Sequence, residues 1–248
     1  MCVLLCFCIE HTPCCFNYNK LYKKGCLWRY IFYMINNLLI FGDSYSTFEK
    51  NIPEGYAVYY YPTVIDPQNP VRTMTLDETW WRRFIKRTDA NLIRNDSWSG
   101  STICYTGYNG DCSGTSSFIY RYRRLCKEGF FDKNKIDTVI VFGGTNDSWV
   151  PAPLGEAKLA DWTEDDLACA LPAITYFMSK LKSDLPKSRI VFIANCDINA
   201  EIVNCMKMAG EHFGVEVVEL SGIEKINGHP TPRGMEQICD RVISALGE

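Results

Sequence analysis

Four residues stand where hydrolytic chemistry could be assembled. Ser44 follows the apolar run Leu38-Leu39-Ile40-Phe41 and a Gly42-Asp43 corner, and Gly100 follows Asp96-Ser97-Trp98-Ser99. Asn146 lies in Gly143-Gly144-Thr145-Asn146-Asp147, and His229 sits just before the last helical pattern. A hydroxyl, an imidazole and neutral hydrogen-bond donors are the parts acyl transfer needs: a nucleophile, an acceptor for its proton, and donors aimed at the developing oxyanion. Each residue also has a plainer reading. Asp43 or Ser44 could cap a following helix, Gly100 could turn the chain at a strand end, and Asn146 could be another cap. What favours chemistry is that every one of them falls just beyond a predicted strand. In open α/β sheets, that edge is where ligands collect.

The strands that must deliver these residues begin with Leu38–Phe41, whose four consecutive apolar residues are the signature of a parallel strand buried on both faces, and four further segments read as its neighbours. These are Asn91–Asn95, Ile136–Phe142, Arg189–Ala194 and Val215–Leu220. Helical patterns separate them: Glu78–Arg87 with Trp80, Trp81, Phe84 and Ile85; a segment with Phe118, Tyr122 and Leu125; one from a Thr163 cap through Leu167, Leu171, Ile174, Phe177, Met178 and Leu181; and one through Met206. The last helix should begin at Pro232 with Thr231 as cap, facing inward through Met235, Ile238, Val242 and Leu246. Strands alternating with helices predict a three-layer α/β/α fold, a flavodoxin-like doubly wound sheet of about five parallel strands. Between the first strand and first helix, Tyr56–Val64 and Val71–Leu76 could pair as a hairpin across Asp66-Pro67-Gln68-Asn69-Pro70 and wall the active edge. Its tyrosines would pack on one another or stack on sugar rings.

Only three histidines exist. His11 lies in an unusual head, and His212 sits among Met208, Ala209 and Phe213, where packing or capping suffices. His229 is the remaining base.

Taken in order, Gly42-Asp43-Ser44, Gly100, Gly143-Gly144-Thr145-Asn146-Asp147 and His229 resemble the serine, glycine, asparagine and histidine blocks of the SGNH, or GDSL, hydrolases. The resemblance spans about Asn37 to Leu246. It implies Ser44 as nucleophile, His229 as base, and an oxyanion hole built from the N–H groups of Ser44 and Gly100 with the Asn146 amide. It implies no metal and no organic cofactor. The substrate expected is a short-acyl or acetyl ester, on a small molecule or a glycan, although lipids, thioesters and peptidoglycan-type acyl groups fit the motifs as well. One departure matters. The family places an aspartate three residues before the histidine, where this chain has Ile226. Glu224, Asp197 or a backbone carbonyl could orient the imidazole instead. Loss of the orienting group also leaves room for a weak or inactive, carbohydrate-binding or scaffold member. Two rivals fit less: Asp43-Ser44-Tyr45-Ser46-Thr47 lacks the second acid of aspartyl-phosphate hydrolases, and no phosphate-cradling glycine loop follows a strand.

Composition bounds the rest. An apolar content of 47% with 22% charged residues suits a folded globular chain rather than a disordered one. The net charge of −3 conceals a basic head: residues 1–36 hold four basic side chains and one acid. The acidic remainder disfavours a nucleic-acid partner, which needs concentrated Lys and Arg. Of the 13 cysteines, six crowd before residue 27 and the other seven are scattered without a Cys-x-x-Cys pair, which argues against both a zinc site and a disulfide framework. The expectation is a Cys-rich extension over residues 1–33, with translation starting at Met34, and one hydrolase domain over 34–248, cytoplasmic and without a membrane span. The sequence leaves the oligomeric state open.

Overall fold

The segments expected as strands form the central sheet. The computed structural model describes residues 36–247, so the Cys-rich head, His11 and the start at Met34 lie outside the described residues. Five parallel strands, β1 (Asn37–Gly42), β2 (Asn91–Ser97), β3 (Thr138–Phe142), β4 (Arg189–Ala194) and β5 (Glu216–Glu219), lie in the order β2-β1-β3-β4-β5. The helices are α1 (Trp80–Thr88), α2 (Phe118–Lys127), α3 (Phe130–Lys133), α4 (Thr145–Trp149), α5 (Ala170–Asp184), α6 (Ala200–Phe213) and α7 (Pro232–Leu246).

Strand side chains alternate between two cores, as a period of two requires. Leu39, Phe41, Val139, Val141, Ile190 and Phe192 pack with residues of α2, α5 and α6 on one face. Leu38, Ile40, Ile140, Phe142, Val191 and Ile193 pack with α1 and α7 on the other. The fold is the three-layer α/β/α, flavodoxin-like doubly wound sheet that the strand–helix alternation predicts.

Register positions the site. Gly42 pairs with Ser97 on one side and Phe142 on the other, so β1, β2 and β3 end at one level. Ser44, Gly100 and Asn146 lie two, three and four residues beyond those partners. The order reverses between β1 and β3, the switch point at which doubly wound sheets open a crevice.

Several boundaries differ from the sequence reading. The Tyr56–Leu76 hairpin does not form: a single bridge joins Tyr61 and Thr73, and the segment coils through short 3₁₀ turns at Pro70–Arg72 and Leu76–Glu78. Pro62 removes a ladder donor from the first flank, and Pro70 opens a 3₁₀ turn that takes Val71 and Arg72 out of the second. Thr163 and Asp166 do exchange N–H bonds, at 3.3 and 2.7 Å, but they cap a 3₁₀ turn, and α5 starts afresh after Cys169. Helix α6 runs past Met206 to Phe213, taking exposed His212 into its last turn. Pro232 opens α7 as expected, with the Thr231 hydroxyl accepting from Gly234 N–H at 3.1 Å.

Candidate active site

The Gly42-Asp43-Ser44 corner has little freedom. A Cβ on Gly42 would come within 3.0 Å of Ser97 Oγ and Ser46, so only glycine lets β1 end this close to β2. Asp43 caps the 3₁₀ turn Ser44–Ser46, its Oδ1 accepting from Tyr45 N–H at 3.0 Å. The capping role expected as the plainer reading therefore belongs to Asp43, and Ser44 is left with its hydroxyl free for another partner. That partner is His229: Nε2 lies 3.0 Å from Ser44 Oγ, across 185 residues of sequence.

His229 reaches Ser44 on a hairpin. Lys225–Ile226 pairs antiparallel with His229–Pro230, and Asn227 and Gly228 turn the chain with φ of 50° and 76°. Positive φ at both central positions is the type I′ geometry that twists with its strands, and Asn-Gly is its preferred sequence. Tyr45 fastens the hairpin from below by donating its hydroxyl to Gly228 O, and Lys225 Nζ donates to Cys196 O at 3.0 Å and Asn195 Oδ1 at 3.1 Å.

The turn also supplies the missing orienter. His229 Nδ1 lies 3.2 Å from the Asn227 carbonyl. A carbonyl only accepts, so Nδ1 carries the hydrogen, which leaves Nε2 bare to accept the Ser44 proton. Neither carboxylate considered from the sequence does this. Glu224 Oε1 accepts the Thr231 hydroxyl beside the start of α7, and Asp197 is exposed, with Oδ2 3.4 Å from Lys225 Nζ. Ile226 is exposed on the hairpin. Around the ring stand three aromatics: Tyr59 stacks face to face at 3.6 Å and 7°, Tyr45 lies at 5.4 Å, and Trp149 approaches edge-on at 5.9 Å. Arg72 sits 5.1 Å from the far side of the stack, over Tyr59, and Asn69 Nδ2 donates to the Tyr59 hydroxyl at 3.2 Å. Burial, opposed by the Asn227 carbonyl and reinforced by the Arg72 and Lys225 cations, lowers the imidazole pKa to about 4.

Opposite His229, the donors are equally constrained. Among the described residues, neither the Ser44 nor the Gly100 N–H has a hydrogen-bond acceptor. Asn146 is buried, with Nδ2 donating to Ser101 O at 2.9 Å and Oδ1 accepting from Tyr108 Oη at 3.1 Å. Those two bonds orient the amide and leave it one N–H. Asp147, the next residue, binds Ile103 N–H at 2.9 Å and Cys104 N–H at 3.0 Å, tying the asparagine stretch to the loop after Gly100.

Beneath this floor lies a residue that the sequence reading passed over. The Arg121 guanidinium on α2 is fully buried and donates to Asp96 Oδ1 at 3.0 Å, Gly42 O at 3.2 Å, Ser101 Oγ at 3.1 Å and Ser116 O at 3.0 Å. It thus joins the ends of β1 and β2 to the chain after Gly100. A signal existed: Arg121 lies three residues after Phe118 and four before Leu125, on the inward stripe of the helix, where an unpaired charge would be costly. Asn227 and Tyr59 were missed as well. The Asn-Gly dipeptide was a readable hairpin signal; nothing local in the tyrosine cluster marks Tyr59 as the residue that meets the imidazole.

A buried serine in contact with a half-buried imidazole, beside N–H donors without acceptors at the switch point of a doubly wound sheet, is the arrangement of an ester-cleaving hydrolase. The sequence profile of the GDSL-like Lipase/Acylhydrolase family matches residues 36–246, nearly all of the described chain. The chain belongs to that family and is an esterase acting on ester bonds. It is similar to a solved GDSL-like lipase from Bacteroides uniformis, with 37% identity over 86% of this chain and 95% of that one and a TM-score of 0.77. A second, from Bacteroides ovatus, is 34% identical over 85% and 97% of the two chains, with a TM-score of 0.76. The fold extends to an acetyl xylan esterase from Butyrivibrio proteoclasticus, at 19% identity over 85% of this chain and 63% of that one and a TM-score of 0.54. No curated protein sequence matches the chain. Among the described residues no helix is long and apolar enough to cross a membrane.

Proposed function

We propose that the chain is a serine esterase that works through an acyl-enzyme, with Ser44 as nucleophile and His229 as base, on a short-acyl ester carried by a carbohydrate. The observation that carries this reading is the 3.0 Å contact between His229 Nε2 and Ser44 Oγ, with Nδ1 on a carbonyl that fixes the tautomer. Ser44 Oγ attacks the substrate carbonyl as Nε2 takes its proton. The N–H groups of Ser44 and Gly100 and the free N–H of Asn146 receive the oxyanion. Collapse of the tetrahedral intermediate expels the alcohol, which takes the proton from Nε2, and water repeats the sequence to release the acid.

A neutral carbonyl stabilises the imidazolium less than a carboxylate does. It preserves the tautomer, however, and a wrong tautomer accounts for most of the roughly 10⁴-fold loss seen when a triad carboxylate becomes an amide. This supports a working dyad over a binding-only member of the family. A carbohydrate ester is favoured by the polar, aromatic surroundings of Gly100 and by the carbohydrate esterases among proteins of the same fold.

The test is labelling of folded protein with a fluorophosphonate, followed by peptide mapping. Adduct on Ser44, and loss of both labelling and ester turnover in Ser44→Ala, are expected. Wild-type turnover in Ser44→Ala refutes the nucleophile.

A further inference from the structure

Beside Gly100 the loop after β2 folds into a second tight hairpin, Thr106–Gly107 against Gly110–Asp111, with Tyr108 and Asn109 at its tip. Between it and β2 lies a cavity of about 280 Å³, bordered by Gly100 and lined by Trp98, Tyr108, Asn109, Asp111 and Thr115 among others. This approaches the size of ordinary small-ligand pockets, which start at about 300 Å³. Its position relative to the chemistry is fixed by Tyr108. The tyrosine hydroxyl holds the Asn146 amide, and its ring stands 3.8 Å from where a Gly100 Cβ would be. Whatever occupies the cavity therefore lies beside Gly100 and against the tyrosine that orients the Asn146 amide.

The lining specifies the occupant. Trp98 presents a large ring braced by Tyr56, with centroids 4.3 Å apart. Asn109, Asp111, Ser99, Thr115 and Ser116 surround it with amide, carboxylate and hydroxyl groups. A flat apolar surface ringed by hydroxyl partners suits a pyranose and not an alkyl chain. None of the lining residues is Lys or Arg, and the Asp111 carboxylate is held ionised by Ser113 N–H at 2.8 Å. A uronate or phosphate placed there would meet a solvent-screened like charge and no cation among the lining residues.

We propose that this cavity is the leaving-group subsite and that it takes one uncharged sugar ring whose ester carbonyl reaches Ser44. The inference rests on the carbohydrate-ester reading above and sharpens it, disfavouring acylated uronates and phospholipids. Its test compares mono-O-acetylated methyl glucopyranoside, the matching methyl glucuronoside, and ethyl acetate as a substrate without a sugar. Wild-type enzyme should prefer the neutral sugar to the uronoside by about two- to fivefold in kcat/KM, the range one exposed like charge supplies. Trp98→Ala, or Trp98→Phe if the alanine variant does not fold, should lower the ratio of sugar ester to ethyl acetate by a similar factor, mainly through KM. Asp111→Asn, on the exposed hairpin, should narrow the neutral-over-uronoside preference. Unchanged ratios in both variants, or a preference for the uronoside, overturn the assignment. Calorimetric titration of Ser44→Ala with the acetylated glucopyranoside, with and without the Trp98 substitution, decides the cavity separately. Binding that depends on Trp98 upholds the subsite even if Ser44 proves not to be the nucleophile, and binding indifferent to Trp98 removes it.

Discussion

Acidification is the sharpest probe of the His229 environment. Burial is the main reason its pKa falls from 6.5 to about 4, with Arg72 and Lys225 adding to the effect. Protonation occupies Nε2 and abolishes its ability to accept from Ser44, so kcat/KM should fall as pH drops through about 4 and not through 6.5. At pH 5 a base titrating at about 4 is about 90% neutral, whereas one titrating at 6.5 is about 3% neutral, a difference of about 30-fold in competent enzyme. A stopped assay with naphthyl acetate and chromatographic product measurement, from pH 3.5 to 8, reads this limb directly. Arg72→Met removes one cation and should move the limb upward. The same shift has a stability consequence of definite sign. Between about 4 and 6.5 the unfolded chain binds a proton at His229 that the native chain refuses, so stability should decline as pH is lowered across that window. An acid limb between 6 and 7 in the wild type would refute the reasoning, because it would mean the imidazole is solvated as freely as in a peptide.

Four further outcomes follow from the same geometry. Asn146→Ala should lower kcat by about 10²–10³ with little change in KM, since the lost donor acts on the oxyanion; an effect confined to KM would exclude that role. Glu224→Gln should leave turnover within about twofold, because its carboxylate serves Thr231 and the α7 cap, whose loss is worth about 1 kcal/mol at most; a collapse in kcat would restore Glu224 as orienter. Arg121→Met strands Asp96 with only Arg94, at 2.7 Å, as ionic partner, and should destabilise by about 3 kcal/mol, or about 6–12 °C in a thermal melt; a Tm within 2 °C of wild type would refute the hub. Burial pushes the Asp43 carboxyl up to about 7, so the native state holds a proton that the unfolded chain releases above 3.8, and stability is lost as pH rises from about 3.8 through about 7, levelling off above that. Asp43→Asn keeps an acceptor for Tyr45 N–H and should raise Tm at pH 8 more than at pH 5; equal shifts at both would show that Asp43 titrates normally.

The sheet was legible because its signal is dense. Leu38–Phe41 and Arg189–Ala194 are apolar runs with a single structural solution, and Thr231-Pro232 announces α7 through φ restriction and capping together. Ser44 and His229 could be proposed as partners because strand ends converge, even across 185 residues. What failed was physics that local patterns do not carry. The Tyr56–Leu76 hairpin looked plausible from its turn, yet Pro62 interrupts one flank and a 3₁₀ turn at Pro70–Arg72 consumes the start of the other. A backbone carbonyl was one of three orienting groups left open beside Glu224 and Asp197, but which carbonyl could not be read, because every residue possesses one and no side-chain motif marks that of Asn227. Arg121 makes sense only once Gly42, Asp96, Ser101 and Ser116 are brought around it, a grouping fixed by tertiary packing.

The common level at which β1, β2 and β3 end has a consequence for how such an enzyme can be altered. The paired backbone at Gly42, Ser97 and Phe142 sets the level of Ser44, Gly100 and Asn146, and Trp98, the first residue after β2, donates its N–H to Gly42 O at 3.0 Å, so one wall of the cavity hangs from that same ladder. The facing wall is the hairpin at 106–111, which reaches back to Asn146 through the Tyr108 hydroxyl. Replacing Asn109 and Asp111 by a relative's residues, with Tyr108 kept, should redirect substrate choice while the Asn146 amide stays in place. Conversely, a one-residue insertion after Asn37 would flip the side chains of Leu38 to Phe41 between the two cores and displace Ser44 with them.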